Sequence, residues 1–411
     1  MTTKPSYTPA LRFPDFLNDG EWEVKRLGEI AKVVDEKCNI GKLNIETYIS
    51  TENMLQNLEG VKKATKLPDT GSFTRFQKGD ILFSNIRPYL KKVWQAEFDG
   101  AASNDVIVFR ALSGFDFHFV SQIIKSDSFI AHTMAGAKGV KMPRGDKNMM
   151  MDYLVCIPSL AEQRRIAACL SALDEMLAAT NEKLEQMKAY KKGLMQQLFM
   201  DSMGGGKSLK INYLQIPKLR FPEFYEEKEW IYYNGDKMFE PIVNKNHNSD
   251  LPVLAITQDQ GAIPRDLIDY NVIVSDKSIE AYKVVEIGDF IISLRSFQGG
   301  IEYSKFKGLC SPAYIVLRKK SDDVCDDFYR YYFKSNQYIQ DLNRNLEGIR
   351  DGKMVSYKQF SDIMIPCPKY EEQRKIASCL SAMDETINAY TEKVGLLGQY
   401  KKGLMQQMFV N

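Results

Sequence analysis

The sequence predicts an α+β protein built twice over. It holds two globular domains, each a small mixed β-sheet with helices and each followed by a long α-helix. The two helices are expected to pack as an antiparallel coiled coil. Three observations predict this. The stretch from Gln163 to Phe199 returns from Gln373 to Phe409, with 22 of 37 positions identical at a constant offset. Each copy spaces its apolar residues alternately four and three apart, which is a heptad seam. The lead-in Leu11-Arg12-Phe13-Pro14-Asp15-Phe16, followed by Trp22, returns as Leu219-Arg220-Phe221-Pro222-Glu223-Phe224, followed by Trp230. The repeat thus covers the globular segments as well as the helices.

The first seam reads Ile166, Leu170, Leu173, Leu177, Thr180, Leu184, Met187, Lys191, Leu194, Leu198. The second reads Ile376, Leu380, Met383, Ile387, Tyr390, Val394, Leu397, Lys401, Leu404, Met408. A helix of this length spans about 55 Å. It cannot hide a continuous apolar stripe alone, whereas two such helices hide theirs against each other. A single helix packed on each domain is the alternative. Lys191 and Lys401 form the only seam position that is polar in both copies. Gly395 and Gly398 weaken the second helix, since an interior glycine costs roughly 1 kcal/mol.

Composition narrows the function classes. The chain is 44% hydrophobic and 26% charged, which is ordinary for a globular protein. Its net charge of +2 sets up no overall basic field, so a nucleic-acid surface needs segregated charge. No apolar run suggests a signal peptide or a membrane span, and a cytoplasmic protein is expected. The cysteines are Cys38, Cys156, Cys169, Cys310, Cys325, Cys367 and Cys379. Their odd number and the lack of any C-x-x-C predict reduced, partly buried thiols.

In chain order, residues 1–10 read as a disordered leader within a first domain of residues 1–155, and 156–200 as the first long helix. A glycine-rich linker at 201–215 leads to a second domain at 216–363 and a second helix at 364–411. Inside the domains, Gly79-Asp80 before Ile81-Leu82-Phe83-Ser84 matches Gly288-Asp289 before Phe290-Ile291-Ile292-Ser293, a turn entering a strand. Val106 to Phe109 and Tyr314 to Leu317 read as a second strand. Phe119 to Ile130 and Phe328 to Ile339 have helical periodicity. Asp152 to Pro158 and Asp362 to Pro368 read as a last strand. Glu162 and Glu372 then suit the helix N-terminal dipole.

Motifs for catalysis do not hold up. Gly204-Gly205-Gly206-Lys207-Ser208 ends like a P-loop, but Asp201 stands where that motif needs glycine and no strand precedes it. Asn85-Ile86-Arg87-Pro88-Tyr89 has the wrong spacing for an adenine methyltransferase motif. Pro14-Asp15 with Glu23-Val24-Lys25 fits a loose nuclease pattern that the second half lacks. His118, His132 and His247 have neither metal-ligand spacing nor triad partners. The sequence therefore predicts no active site and no metal site.

Binding remains. Basic and aromatic residues gather in turn-rich stretches of both halves, including Lys62, Tyr89, Lys92 and Lys138. Arg87, Lys91, Lys141 and Arg144 in the first half are candidate DNA contacts, as are Arg295, Gln298, Arg350 and Lys353 in the second. Lys and Arg neutralise phosphates, and Arg and Gln can read base edges. A solvated charged face explains any one of them equally well.

The helix starts Glu162-Gln163-Arg164-Arg165-Ile166-Ala167 and Glu372-Gln373-Arg374-Lys375-Ile376-Ala377 match one family. So do the Tyr-Lys-Lys-Gly-Leu-Met-Gln-Gln helix ends and the Leu-Arg-Phe-Pro lead-ins. The chain resembles the DNA specificity subunit of type I restriction-modification systems, a host-defence machinery, over nearly its whole length. The resemblance implies two variable target recognition domains, joined by conserved spacer helices, that read a bipartite sequence in double-stranded DNA. It also implies a non-catalytic subunit that binds no cofactor of its own. Two modification subunits would carry S-adenosylmethionine and methylate adenine. Restriction subunits, where present, would use ATP and Mg. A frame common to both halves suits a partner present in two identical copies. The candidate partner contacts are therefore Gln163, Arg164, Tyr190, Lys191, Gln373, Arg374, Tyr400 and Lys401 of the repeated helices. A coiled-coil adaptor joining two protein partners without DNA is the alternative reading.

If the helices act as a ruler, their length sets the spacer of the DNA target. Each added residue lengthens a helix by about 1.5 Å and turns it by about 100°. Four residues inserted near Asn181 should lengthen the spacer by about one or two base pairs, at about 3.4 Å each, and leave the half-sites unchanged. A two-residue insertion should abolish binding. Sequencing the methylated motif of each variant checks this. An unchanged spacer at full activity after the four-residue insertion would reduce the helices to a docking surface.

Overall fold

The computed structural model describes residues 7–39, 41, 43–199, 217–227, 229–248, 250–267, 279–344 and 355–410. Leader residues 1–6 and the 201–215 linker, with its P-loop-like stretch, lie outside them. The chain forms two compact units. One comprises residues up to Lys183 together with Tyr390 onward, and the other runs from Leu184 to Ala389. Both long helices therefore contribute to both units, a division that the expected boundaries do not contain.

The long helices span Leu160–Phe199 and Tyr370–Met408. Each starts later than expected at 156 and 364, because Leu154–Ile157 and Met364–Cys367 are strands. Pro158 and Pro368 follow these strands and disfavour helix in the residue before them. Each strand pairs antiparallel with the strand after the lead-in tryptophan, Glu23–Arg26 in the first unit and Ile231–Asn234 in the second.

In the first unit an antiparallel sheet orders Ala31–Val33, Val106–Ala111, Ile81–Ser84 and Val93–Gln95. A second sheet orders Lys37–Asn39, Ser72–Phe76, Gly100–Ala102 and Tyr48–Ile49, its last pair parallel. The strand Ile81–Ser84 is buried throughout. Its side chains alternate between two cores. Ile81 and Phe83 join Ile107, Phe109 and the helices, while Leu82 joins Val106, Val108 and Trp94. A strand covered on both faces reads as a continuous apolar run.

The second unit repeats the first of these sheets, but among its described residues the place of the other is taken by two two-stranded sheets, Leu254–Thr257 with Gly261–Pro264 and Lys283–Val285 with Gly308–Cys310. Its antiparallel sheet orders Phe239–Ile242, Ile315–Lys319, Phe290–Ile292 and Glu302–Tyr303. Phe290 and Ile292 face the core of the helices, and Ile291 faces the other. The Gly-Asp turns have one explanation in both units. Gly79 and Gly288 have φ of 93° and 96°, which favour glycine. Asp80 accepts from the Gln77 backbone N–H and from the Arg110 guanidinium. Asp289 likewise accepts from the Glu286 N–H and from Arg318.

The single helices expected at 119–130 and 328–339 are each two. Phe117–Lys125 and Asp127–Ala135 are separated by Ser126, whose extended backbone breaks the first helix and whose hydroxyl caps the second. Asp326–Tyr332 and Asn336–Arg344 are separated by Phe333, Lys334 and Ser335, and the Ser335 hydroxyl accepts from the Tyr338 N–H at the start of the second. A capping serine inside an apolar periodicity starts a new helix, because its side chain replaces a backbone acceptor.

The lead-in fixes the helix ends. In the first unit Arg12 donates two hydrogen bonds of 2.8 Å to Glu162, and both side chains are almost fully buried. Arg165 lies over the Phe13 ring, and the Leu11 N–H donates to the Gln407 carbonyl near the end of the other helix. In the second unit Arg220 donates twice to Glu372 at 2.7 Å, Lys375 lies over Phe221, and the Leu219 N–H donates to the Gln197 carbonyl. One short motif thus clamps the start of one helix and the end of the other.

Within each unit the helix segments run antiparallel. In the first, Met408 packs with Ile166 and Leu170, and Lys401 donates to Asp174. In the second, Leu198 packs with Ile376 and Leu380, and Lys191 donates to Asp384. Every residue of both seams is at least partly buried, and the second helix continues through Gly395 and Gly398. Packing of the seam therefore outweighs the propensity cost of those glycines.

Removing one partner of a buried ion pair leaves an uncompensated charge and costs about 3–5 kcal/mol. Arg220→Met should destabilise the second unit by about that amount. Adding Glu372→Leu should restore most of the loss, because the remaining charge is then gone. Urea unfolding of both variants measures this. Equal stability of Arg220→Met and wild type would show that the pair does not hold the junction.

Candidate nucleic-acid interface

In the first unit the buried strand Ile81–Ser84 ends in a loop that carries Arg87, Tyr89 and Lys91. Pro88–Leu90 forms one 3-10 turn, flanked by Arg87 at φ 53° and Lys91 at φ 49°. A second loop, 138–146, lies against the first. The Arg87 N–H donates to the Pro143 carbonyl, and Ile86 bridges Arg144. A third joins through the Asn57 and Leu58 N–H groups, which donate to the Leu90 and Lys91 carbonyls. Asn57 and Leu58 also have positive φ. Among the described residues, the non-glycine residues in that conformation are these four. Left-handed backbone in non-glycine residues is unfavourable and concentrates where surrounding structure and function demand it.

The three loops concentrate positive charge that the overall composition conceals. Arg87 is exposed, and among the described residues its side chain forms no ion pair. Lys92 donates to the Thr51 carbonyl. Burial lowers its pKa, and the nearby Lys62 and Arg87 lower it further. Arg144 reaches Asp105 at 3.0 Å, and Lys91 pairs with Asp127, so both cations are oriented by acids while staying partly exposed. Lys141 is exposed.

The second unit places Arg295 at the corresponding point, in the loop after Phe290–Ile292 and just before the short helix Ser296–Gly299. Arg295 and Gln298 are both exposed. This loop is held from beneath. The Lys334 ammonium donates to the carbonyls of Gln258 and Gly299 and to buried Glu302. Gln258 donates in turn to the Arg295 carbonyl. Arg350 and Lys353 lie outside the described residues.

The arrangement offers cations and amides to phosphates and base edges. Among the described residues no group of three or more His, Cys, Asp or Glu could hold a metal ion. No described helix is long and apolar enough to cross a membrane.

Both halves match a family model described as the type I restriction modification DNA specificity domain, over residues 19–189 and 223–395. The chain belongs to this family. It is 26% identical over 410 residues to a putative type I restriction enzyme MjaX specificity subunit of Methanocaldococcus jannaschii, covering 94% of this chain and 92% of that one. It is 23% identical over 412 residues to the MjaVIII specificity subunit of the same organism, covering 96% and 92%. Among solved structures it resembles the type I restriction-modification S subunit from M. genitalium, with TM-score 0.60, 15% identity and coverage of 98% and 99%. It also resembles a chain solved in work on complex assembly and conformational transition of the type I R-M system, with TM-score 0.52, 20% identity and coverage of 94% and 97%. These likenesses show the fold.

In this specificity-family chain, four expected partner contacts are engaged within the fold. Gln163 and Gln373 are buried. Gln163 accepts from the Asp116 N–H and donates to the Pro158 carbonyl. Gln373 accepts from the Cys325 N–H and donates to the Pro368 carbonyl. They tie each helix to its domain, and burial removes them from a partner's reach. Lys191 and Lys401 are committed to Asp384 and Asp174 inside the seams. Arg164, Arg374, Tyr190 and Tyr400 remain exposed. Sequence reasoning missed the Arg12–Glu162 and Arg220–Glu372 pairs. The available signal was that both members recur in both halves.

Glu302 links the loop of Arg295 to pH. Burial pushes its carboxyl up to about 7, and Lys334 opposes that rise. The folded chain therefore holds a proton that the unfolded chain releases near the ordinary carboxyl value. Stability of the second unit should then fall as pH rises from about 4.5 to about 7. Glu302→Gln should flatten that decline, as measured by unfolding at several pH values. An identical pH profile in the variant would show that Glu302 is not the titrating group.

Proposed function

We infer that the chain is the non-catalytic, sequence-reading subunit of a type I restriction-modification complex, and that each unit reads one half of a bipartite site in double-stranded DNA. One observation carries this reading. The same junction of arginine, glutamate and glutamine occurs in both units, whereas the loops above it differ in sequence and shape. A frame kept in duplicate with unlike loops is what two readers for two sequences require, since base contacts specify while the scaffold positions them. Arg87, Lys91, Lys141 and Arg144 serve the first half-site. Arg295, Gln298, Arg350 and Lys353 serve the second.

The outer faces of the repeated helices, with Arg164, Tyr190, Arg374 and Tyr400, dock two modification subunits, because like surfaces suit like partners. Those subunits bind S-adenosylmethionine and methylate adenine. Restriction subunits using ATP and Mg join the same assembly where the system has them. The chain itself binds no cofactor and acts in the cytoplasm.

Replacing residues 12–155 by the corresponding segment of another family member should change one half of the methylated motif and leave the other unchanged. Sequencing methylated adenines in a host that carries the chain and its modification partner reads this directly. A swap that changed both half-sites, or a host with no methylated motif, would overturn the proposal. A complex with no salt-sensitive binding to duplex DNA would point to the adaptor reading instead.

A further inference from the structure

We propose that Val140 and Met142 form an apolar tip that enters a groove of the target duplex and touches the bases. The surrounding cations hold the flanking phosphates. This rests on the DNA-recognition reading above and adds an apolar reader to a set so far made of cations and amides.

The loop that bears the tip is well defined. The Lys138 and Arg144 N–H groups each donate to the other's carbonyl at 2.9 Å, closing a short hairpin around residues 139–143. Gly139 has φ of 101°, which a residue with a side chain rarely adopts, and an added Cβ would stand 3.3 Å from the Met142 carbonyl oxygen. The hairpin is fixed from below by the Arg87 N–H, which donates to the Pro143 carbonyl. This geometry leaves Val140 102% exposed and Met142 53% exposed.

Folding gives no reason for that exposure. An apolar side chain stabilises a fold only through the area it removes from water, and Val140 removes none. Single exposed apolar residues are common. Two on one braced tip, bracketed by Lys138, Lys141 and Arg144 and next to Arg87, are a patterned surface. The cations select a polyanion as the occupant. Duplex DNA is a polyanion whose grooves also present apolar surface, in thymine methyl groups and in the edges and faces of base steps. Phosphate contacts do not depend on sequence, whereas contacts inside a groove do. The tip therefore contributes discrimination, and its cations contribute affinity for any duplex.

This division gives a distinct test. The full chain, purified with its modification subunit, is titrated against two duplexes of equal length at several salt concentrations. One carries the motif read from methylated adenines, and the other is mixed-sequence DNA. The Val140→Ser/Met142→Ser variant should bind the motif duplex about tenfold more weakly, the cost of about one mismatched base pair. It should bind mixed-sequence DNA as wild type does, with the same salt dependence. Lys141→Ala should weaken binding to both duplexes and lower the salt slope by about one. Thermal melting of the double variant should match wild type, because both side chains are exposed. The proposal is overturned if the double variant binds the motif duplex normally, or if its affinities for both duplexes fall together. If the wild-type complex binds neither duplex, the DNA-recognition reading itself fails and this proposal with it.

Discussion

The structure depends on one buried carboxylate at the head of each long helix. Glu162 and Glu372 are almost completely removed from water, and each is held by both arms of an arginine from the lead-in. A buried carboxylate is tolerated only when it is paired and hydrogen-bonded. This pairing forces the lead-in to lie across the helix start. Once there, its leucine N–H reaches the end of the other helix, and its phenylalanine ring receives a cation from the next turn. The neighbouring glutamine extends the junction by joining the helix start to the N-terminus of the domain's own helix. Strand, helix and lead-in are thereby fixed at one point in each unit.

A second polar constraint operates along the seams. An otherwise apolar stripe would pack in several registers, each shifted by a heptad. Lys401 meeting Asp174 and Lys191 meeting Asp384 single out one register in each unit, because any shift strands a partly buried ammonium. In the second unit Tyr331 donates to the same Asp384, and Lys191 lies over the Tyr331 ring. In the first, Gln122 donates to Asp174 in the same place. The domain helices therefore take part in setting the register. The two units solve the same problem with different side chains.

The frame leaves the loops free to differ. The strand after each Gly-Asp turn is buried on both faces, so its end is a rigid base for the loop beyond it. In the first unit that loop is a strained, multiply bonded corner that contains Arg87. In the second it is one short helical turn held up by Lys334, with Arg295 at its start. Rigid support beneath variable loops suits recognition, because a base-reading side chain must be held to within hydrogen-bond reach.

Much of this was legible in the sequence. The duplication, the seams, the strands after Gly79-Asp80 and Gly288-Asp289, and the solitary polar seam position all follow from local spacing, and spacing is a property of a chain read in order. The cations at Arg87 and Arg144 were legible as residue types but not as neighbours, because a backbone bond across more than fifty positions joins their loops. Gln163 and Gln373 were read as surface and proved to be buried, since burial depends on what the rest of the chain brings alongside. The breaks at Ser126 and Ser335 were hidden because a capping serine and a helical serine look alike until the backbone before them has turned. Sequence alone determined the repeat and its periodicities. Only the tertiary structure decided which charges neutralise one another inside and which are left for a partner, because that depends on distances between residues far apart in the chain.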